Sequence, residues 1–322
     1  MSGKRKIHGS TKLSDANYNK LVRLAELRGE TVGEATNRLL DLSVKSIPGN
    51  LRKADAPLTD LDIRSTGVED GCPWIRMGNG RIFHSQPTKL RYARLFHLMR
   101  DRTPNSLKPE TYQSAIDARR LYAQGCNYDL FPGPGATVVD AGAYVGYKAI
   151  SFADAVGPSG RVIAIELDKE NARLLRKNVE QNELTDRIEV HECGVWSFDG
   201  EADYTGESHM QHTLASMDGK EYAARGSVNT RTLDTIFDAS GIEYVDFLNI
   251  QVNGAEVEAL HGLDRWWSRV GVIRIAAYYQ HEGRNISEDV LGILEQRGAE
   301  IHEVTRKGGI TAIGPFRRED IR

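Results

Sequence analysis

From residue 136 the chain alternates short apolar runs with amphipathic stretches. ATVVDAG, RVIAIEL and IEVHECG have the length and β-branched content of buried strands. Between them, the segments from about 146 and from about 169 to 182 carry apolar residues at helical spacing. This succession predicts a parallel sheet with crossover helices. A further apolar run, YVDFLNI, leads into NIQVNGAE at 249–256 and reads as another buried strand. Upstream, PWIRMGNGRIFH at 73–84 predicts two short strands about a Gly-Asn-Gly turn, followed by helical segments near 89–101 and 109–125. In DRWWSRVGVIRI, Trp266 and Trp267 are expected to close a helix against the sheet.

The first 46 residues follow another rhythm. Residues 6–13 alternate as a strand, with Ile7, Gly9, Thr11 and Leu13 on one side and Lys6, His8, Ser10 and Lys12 on the other. Ser14 then caps a helix with Tyr18, Leu21, Val22, Ala25 and Leu27 along one stripe, ended by Gly29. Thr31 and Glu34 form a capping-box pattern for a second helix, which stops before Ile47-Pro48-Gly49. One strand and two short helices in about 45 residues bury too little to stand alone, so the unit calls for a second copy of itself. The division is therefore a module at 1–46, a Pro- and charge-rich linker at 47–58, and a body at 59–322.

Composition sharpens this division. With 40% hydrophobic and 27% charged residues the chain has an ordinary soluble make-up. It lacks both the roughly 18-residue apolar run of a membrane span and, in MSGKRKIHGSTK, the apolar core of a signal peptide, so a cytoplasmic location is expected. Cys72, Cys126 and Cys193 are odd in number and widely spaced, which argues against a disulfide framework or a thiolate zinc site. The net charge of −3 hides a basic head, since residues 1–50 hold nine Lys and Arg against five acids.

The candidate chemistry clusters at strand ends. Asp140-Ala-Gly142-Ala-Tyr-Val-Gly146 closes the first strand of the body, where the glycines allow a sharp turn and close approach to a ligand. Ala143 and Tyr144 lie inside that turn. Glu166 ends the next strand, followed by Leu167, in the place where an acid accepts from ribose hydroxyls. Cys193 and Gly194 follow the third strand, where an adenine edge would lie. An acid at the strand end and no GxGxxG point away from a dinucleotide and towards a ligand with a ribose and adenine but no phosphate, S-adenosylmethionine.

From about 70 onward the chain resembles the FkbM family of S-adenosylmethionine-dependent methyltransferases. The ordered motifs are DAGAYVGYKA, GRVIAIELDKENARLLRKNVEQN, TLD at 232–234, VDFLNIQVNGAE followed by LHGL, and AAYYQHEG at 276–283. The resemblance implies a class I methyltransferase: a seven-stranded Rossmann-like sheet with an antiparallel C-terminal hairpin. It also implies S-adenosylmethionine as donor, S-adenosylhomocysteine as product and commonly a hydroxyl acceptor on a small molecule. Residues 4–44 resemble a ribbon-helix-helix module, which implies a homodimer whose paired strands offer Lys6, His8, Ser10 and Lys12 to the major groove of duplex DNA. Dimerisation alone is the other reading of that module.

Against the family pattern KIDVEGAE, this chain has Asn249, Gln251 and Asn253 where the family has Lys, Asp and Glu. Gln251 is expected beside the reactive methyl group and the acceptor, with Asn253 as a second candidate for the chemistry. Amides do not take a proton at neutral pH and are poor ligands for hard cations, so no metal is expected and another base is sought. His209 and His212 in ESHMQHTLAS, and His281 in YYQHEG, are the candidates. Tyr144 stands where the family often has Asn. Two further functions stay open: a DNA-binding regulator whose body senses the donor without turnover, and a nucleic-acid-directed methyltransferase. The fourth strand's QVNG lacks the Asn/Asp-Pro-Pro-aromatic signature expected for base methylation.

Overall fold

A computed structural model describes residues 63–87, 111–125, 128, 130–204, 226–281 and 284–316. The chain divides between Asp55 and Ala56, and all described residues belong to the second unit. The expected basic module, with Lys6, His8, Ser10 and Lys12, lies outside them, as do the helix near 89–101, His209 and His212.

The described chain opens with an antiparallel meander, β1 (Ile63–Glu69), β2 (Cys72–Met77) and β3 (Ile82–His84). β2 and β3 are the expected pair. β1 was not anticipated; Asp70 and Gly71, both at positive φ (50° and 76°), turn it into β2 as hairpin chemistry requires. Next come α1 (Tyr112–Gly125), β4 (Thr137–Ala141), α2 (Tyr147–Val156), β5 (Arg161–Glu166), α3 (Lys169–Gln181) and β6 (Ile188–Glu192). A small side sheet of β7 (Gly194–Val195), β8 (Gly200–Tyr204) and β9 (Gly226–Arg231) follows, which the sequence pattern did not reveal. The rest is α4 (Leu233–Ser240), β10 (Val245–Ile250), α5 (Glu256–His261), β11 (Val270–Ala276), β12 (Gln280–His281), β13 (Arg284–Asn285), α6 (Ser287–Gln296), β14 (Glu300–Val304) and β15 (Gly309–Ile313).

The main sheet has seven strands in the order β14-β15-β11-β10-β4-β5-β6. Its central pairs are parallel, while β15 runs antiparallel to both neighbours and forms the C-terminal hairpin with β14. This is the seven-stranded Rossmann-like sheet with an antiparallel C-terminal hairpin that was expected. One face is covered by α1, α2, α3 and the meander around Phe83, Tyr147, Phe152 and Leu174; the other by α4, α5 and α6 around Phe237, Leu260 and Leu294. With both faces covered, β4 and β10 need not alternate, and β10 is buried at every position. Trp266 stands edge-on to Phe237 of α4, 5.5 Å between ring centres, and its Nε1–H donates to Asp238 (2.7 Å), closing that helix against the sheet as expected.

Two asparagines fasten the meander to the body. Asn178 Oδ1 accepts from the His84 N–H (2.6 Å), while its Nδ2 donates to the carbonyls of His84 (2.9 Å) and Val145 (2.8 Å). One turn later Asn182 accepts from the Ile82 N–H (3.0 Å) and donates to the Ile82 carbonyl (2.6 Å). In effect α3 pairs with β3 as a neighbouring strand would, and so satisfies buried backbone groups of that edge.

Candidate functional site

Strand order reverses between β4 and β10, and an open crevice lies beyond their C-terminal ends, where ligands of such sheets bind. The space, counting its mouth, is about 800 Å³.

Backbone geometry builds one end. After β4 the chain turns at Gly142 (φ +87°), and the N–H groups of Gly142 and Ala143 both donate to the Ile165 carbonyl at 2.9 Å. A Cβ at 142 would lie 2.0 Å from the Gln251 carbonyl oxygen, so glycine alone allows the β4–α2 and β10–α5 loops to touch. The Gln251 N–H donates to Ala141 (2.9 Å) and ties the same loops from the other side. Tyr144 sits at φ +55°, a region where Asn is at ease and a bulky residue is not, and its N–H donates to Glu166 Oε2 (2.8 Å). Glu166 Oε1 accepts from the Asp168 N–H (3.0 Å). Burial is the main force on this carboxyl and lifts its pKa to about 7 against those N–H bonds.

Side-chain pairs build the other end. Asn249 does not border the crevice: it is buried beneath the site, and its Nδ2 donates to Asp140 Oδ1 at 2.7 Å. Asp140 Oδ2 is buried with no partner among the described residues. Burial raises the pKa of this carboxyl, opposed by the charge of Lys148 and the Asn249 bond. Gln251 lines the crevice and accepts from Lys148 Nζ at 2.6 Å. Asn253 also lines it, at φ +57° in the turn before α5, and accepts from the Tyr279 hydroxyl at 2.5 Å. Burial pushes the Tyr279 phenol well up. Glu256 underpins this turn, accepting from the N–H groups of Val252 (3.1 Å) and Gly254 (2.8 Å); burial lifts its pKa to about 7 as well.

Asp140, Gly142, Ala143, Tyr144, Glu166 and Leu167 thus border one crevice, together with Cys193 and Gln251. Gly146 and Gly194, expected against the donor, do not. Gly146 (φ +92°) starts α2, where a Cβ would lie 2.5 Å from Leu175 Cδ1, and Gly194 is buried in β7 beside Thr230. Cys193 is an apolar wall rather than a nucleophile, since burial raises its thiol to about 11. Sequence reasoning missed Lys148 and Tyr279. A signal existed for the first: a lone lysine inside YKAISFADAV, a helix otherwise buried through its apolar positions. Tyr279 comes from beyond β11, and only the fold brings it to Asn253.

Residues 140–301 match the family model described as the methyltransferase FkbM domain. A stretch of 61 residues is 41% identical to a protein-L-isoaspartate O-methyltransferase from Aeropyrum pernix, covering 19% of this chain and 24% of that one. The chain thus spans about a quarter of that curated relative's length. Among solved structures, the methyltransferase FkbM from Methylobacillus flagellatus is 18% identical with a TM-score of 0.41, over 69% of this chain and 59% of that one. Aeropyrum pernix fibrillarin, solved with natively bound S-adenosyl-L-methionine, is 13% identical with a TM-score of 0.37, over 79% and 99% of the two chains. No helix among the described residues is long and apolar enough to cross a membrane.

Proposed function

Since the chain belongs to the FkbM family of methyltransferases, with S-adenosylmethionine as methyl donor, we propose that it is an O-methyltransferase acting on an oxygen of a small-molecule acceptor. The observation that supports this reading is one crevice bordered by the carboxyls of Asp140 and Glu166 and, beside Lys148, by the amides of Gln251 and Asn253.

The residues present fit the donor. Asp140 keeps one buried oxygen without a partner among the described residues, which suits a cationic group. Glu166 has its carboxylate fixed by two backbone N–H groups and borders the crevice with lone pairs left for ribose hydroxyls. Ile165, Leu167, Cys193 and Val195 supply apolar wall suited to an adenine. The bound donor would supply an electrophilic methyl group on a sulfonium, whose transfer asks chiefly for close in-line approach. Gln251 and Asn253, each held by a side-chain partner, orient the acceptor and take no proton from it.

Isothermal titration of the folded protein with S-adenosylmethionine and S-adenosylhomocysteine tests this. Micromolar binding of both, lost in Glu166→Ala, is expected. Absence of binding in a protein with a cooperative unfolding transition would refute the assignment.

A further inference from the structure

Lys148 is the second residue of α2 and only 7% exposed, yet it borders the crevice. Its Nζ donates to Gln251 Oε1 at 2.6 Å and stands 5.9 Å from the centre of the Tyr128 ring. Among the described residues no carboxylate lies within ion-pair distance of it. Asp140 borders the same crevice and is bonded to Asn249 instead, with its second oxygen also unpartnered among those residues. A buried cation bonded only to a neutral amide, with the Tyr128 ring nearby and Asp140 acting on it through charge alone, is costly unless an anion joins it. Here two buried groups of opposite charge flank one crevice without pairing, an arrangement suited to two ligands of opposite charge.

From this we propose that the acceptor is a carboxylate and that Lys148 is the residue that selects it, a substrate class that rests on the O-methyltransferase reading above. The donor is cationic and answers Asp140; the anion that answers Lys148 then arrives with the acceptor. Gln251 spends its oxygen on the ammonium, which leaves Nε2 as a further donor towards a carboxylate oxygen.

The reaction balances without a base. A carboxylate oxygen attacks the methyl carbon, the carbon–sulfur bond breaks with its electron pair passing to sulfur, and a methyl ester and a neutral thioether leave. No proton is released, whereas an alcohol would have to lose one beside amides unable to accept it. Acids at 251 and 253 would repel a carboxylate, so the amides at these positions are the residues such an acceptor requires.

The test compares sodium acetate and benzoate with ethanol and benzyl alcohol, and with chloride at equal ionic strength. Thermal shift on the full chain reads binding, with and without S-adenosylhomocysteine. The carboxylates are expected to stabilise the wild type and Lys148→Arg more than the alcohols or chloride do. Apparent affinity should fall on the order of tenfold or more in Lys148→Met. Gln251→Glu should show the same loss, because it gives Lys148 a resident counter-ion; being isosteric, it guards against a Lys148→Met protein that fails to fold. Equal stabilisation by acid and alcohol, or a carboxylate effect that survives in Gln251→Glu, would overturn the proposal. Failure of S-adenosylhomocysteine to bind would instead refute the donor assignment, and the carboxylate arm run without it would still decide the role of Lys148.

Discussion

The two ends of the crevice are held by different means. At the end proposed for the donor one carboxylate, Glu166, is gripped by backbone N–H groups of Tyr144 and Asp168, so its position follows from the fold itself. At the acceptor end, Lys148 with Gln251 and Tyr279 with Asn253 are side-chain pairs, each replaceable without disturbing a strand. The first arrangement suits a ligand that stays the same across a family. The second suits one that changes from member to member. Substrate choice is then expected to reside in residues whose exchange leaves the sheet intact.

The contact that joins the two ends gives the harshest test of this contrast. Gly142→Ala drives a Cβ into the Gln251 carbonyl and also demands positive φ, so both loops must shift. A loss of about 4 kcal/mol or failure to fold is expected in urea unfolding.

A second test titrates the buried glutamates, one at each end. Glu166 and Glu256 both have pKa values of about 7 in the fold against an ordinary 4.5. The folded state therefore holds protons that the unfolded chain releases between about pH 4.5 and 7. Their contribution to stability is greatest below that window, falls as pH rises through it and is level above. The fall is on the order of 3 kcal/mol per group, and urea midpoints across the window should decline less steeply in Glu166→Gln and in Glu256→Gln. Only the Glu166 variant should also weaken donor binding, which titration calorimetry separates.

Smaller effects sharpen the contrast. Tyr279→Phe removes the hydroxyl that holds Asn253 and should cost about 1 kcal/mol while donor affinity stays the same. Tyr144→Asn relieves a left-handed backbone strain but gives up the ring contact with Tyr147, 6.0 Å between centres. Its net effect on the unfolding free energy should stay within about 1 kcal/mol.

The geometry around Glu166 was legible because its constraints are local in sequence. A strand end, a glycine turn and an acid at the next strand end appear in the chain as DAGAYVG and IAIEL. The acceptor end was only half legible. The amides stood out in NIQVNGAE, but their partners lie 103 residues upstream at Lys148 and 26 downstream at Tyr279. Asn249, in register with Asp140 on the neighbouring strand, is buried outside the crevice, and its bond to that carboxyl joins residues 109 apart in the chain. β1 and the side sheet escaped for a different reason, their largely polar strands carrying little periodic signal.

The asparagine clasp on β3 bears on where this protein is divisible. The family match begins at Asp140, which invites cutting the chain there to harvest a minimal catalytic piece. Such a cut would remove the partners of Asn178 and Asn182 and strand several amide groups of α3, one of which also braces the Val145 carbonyl in the donor turn. The transplantable cassette is therefore larger than the recognisable motif: its boundary belongs ahead of Ile63, and a chimera joined closer to Asp140 inherits a loosened donor turn.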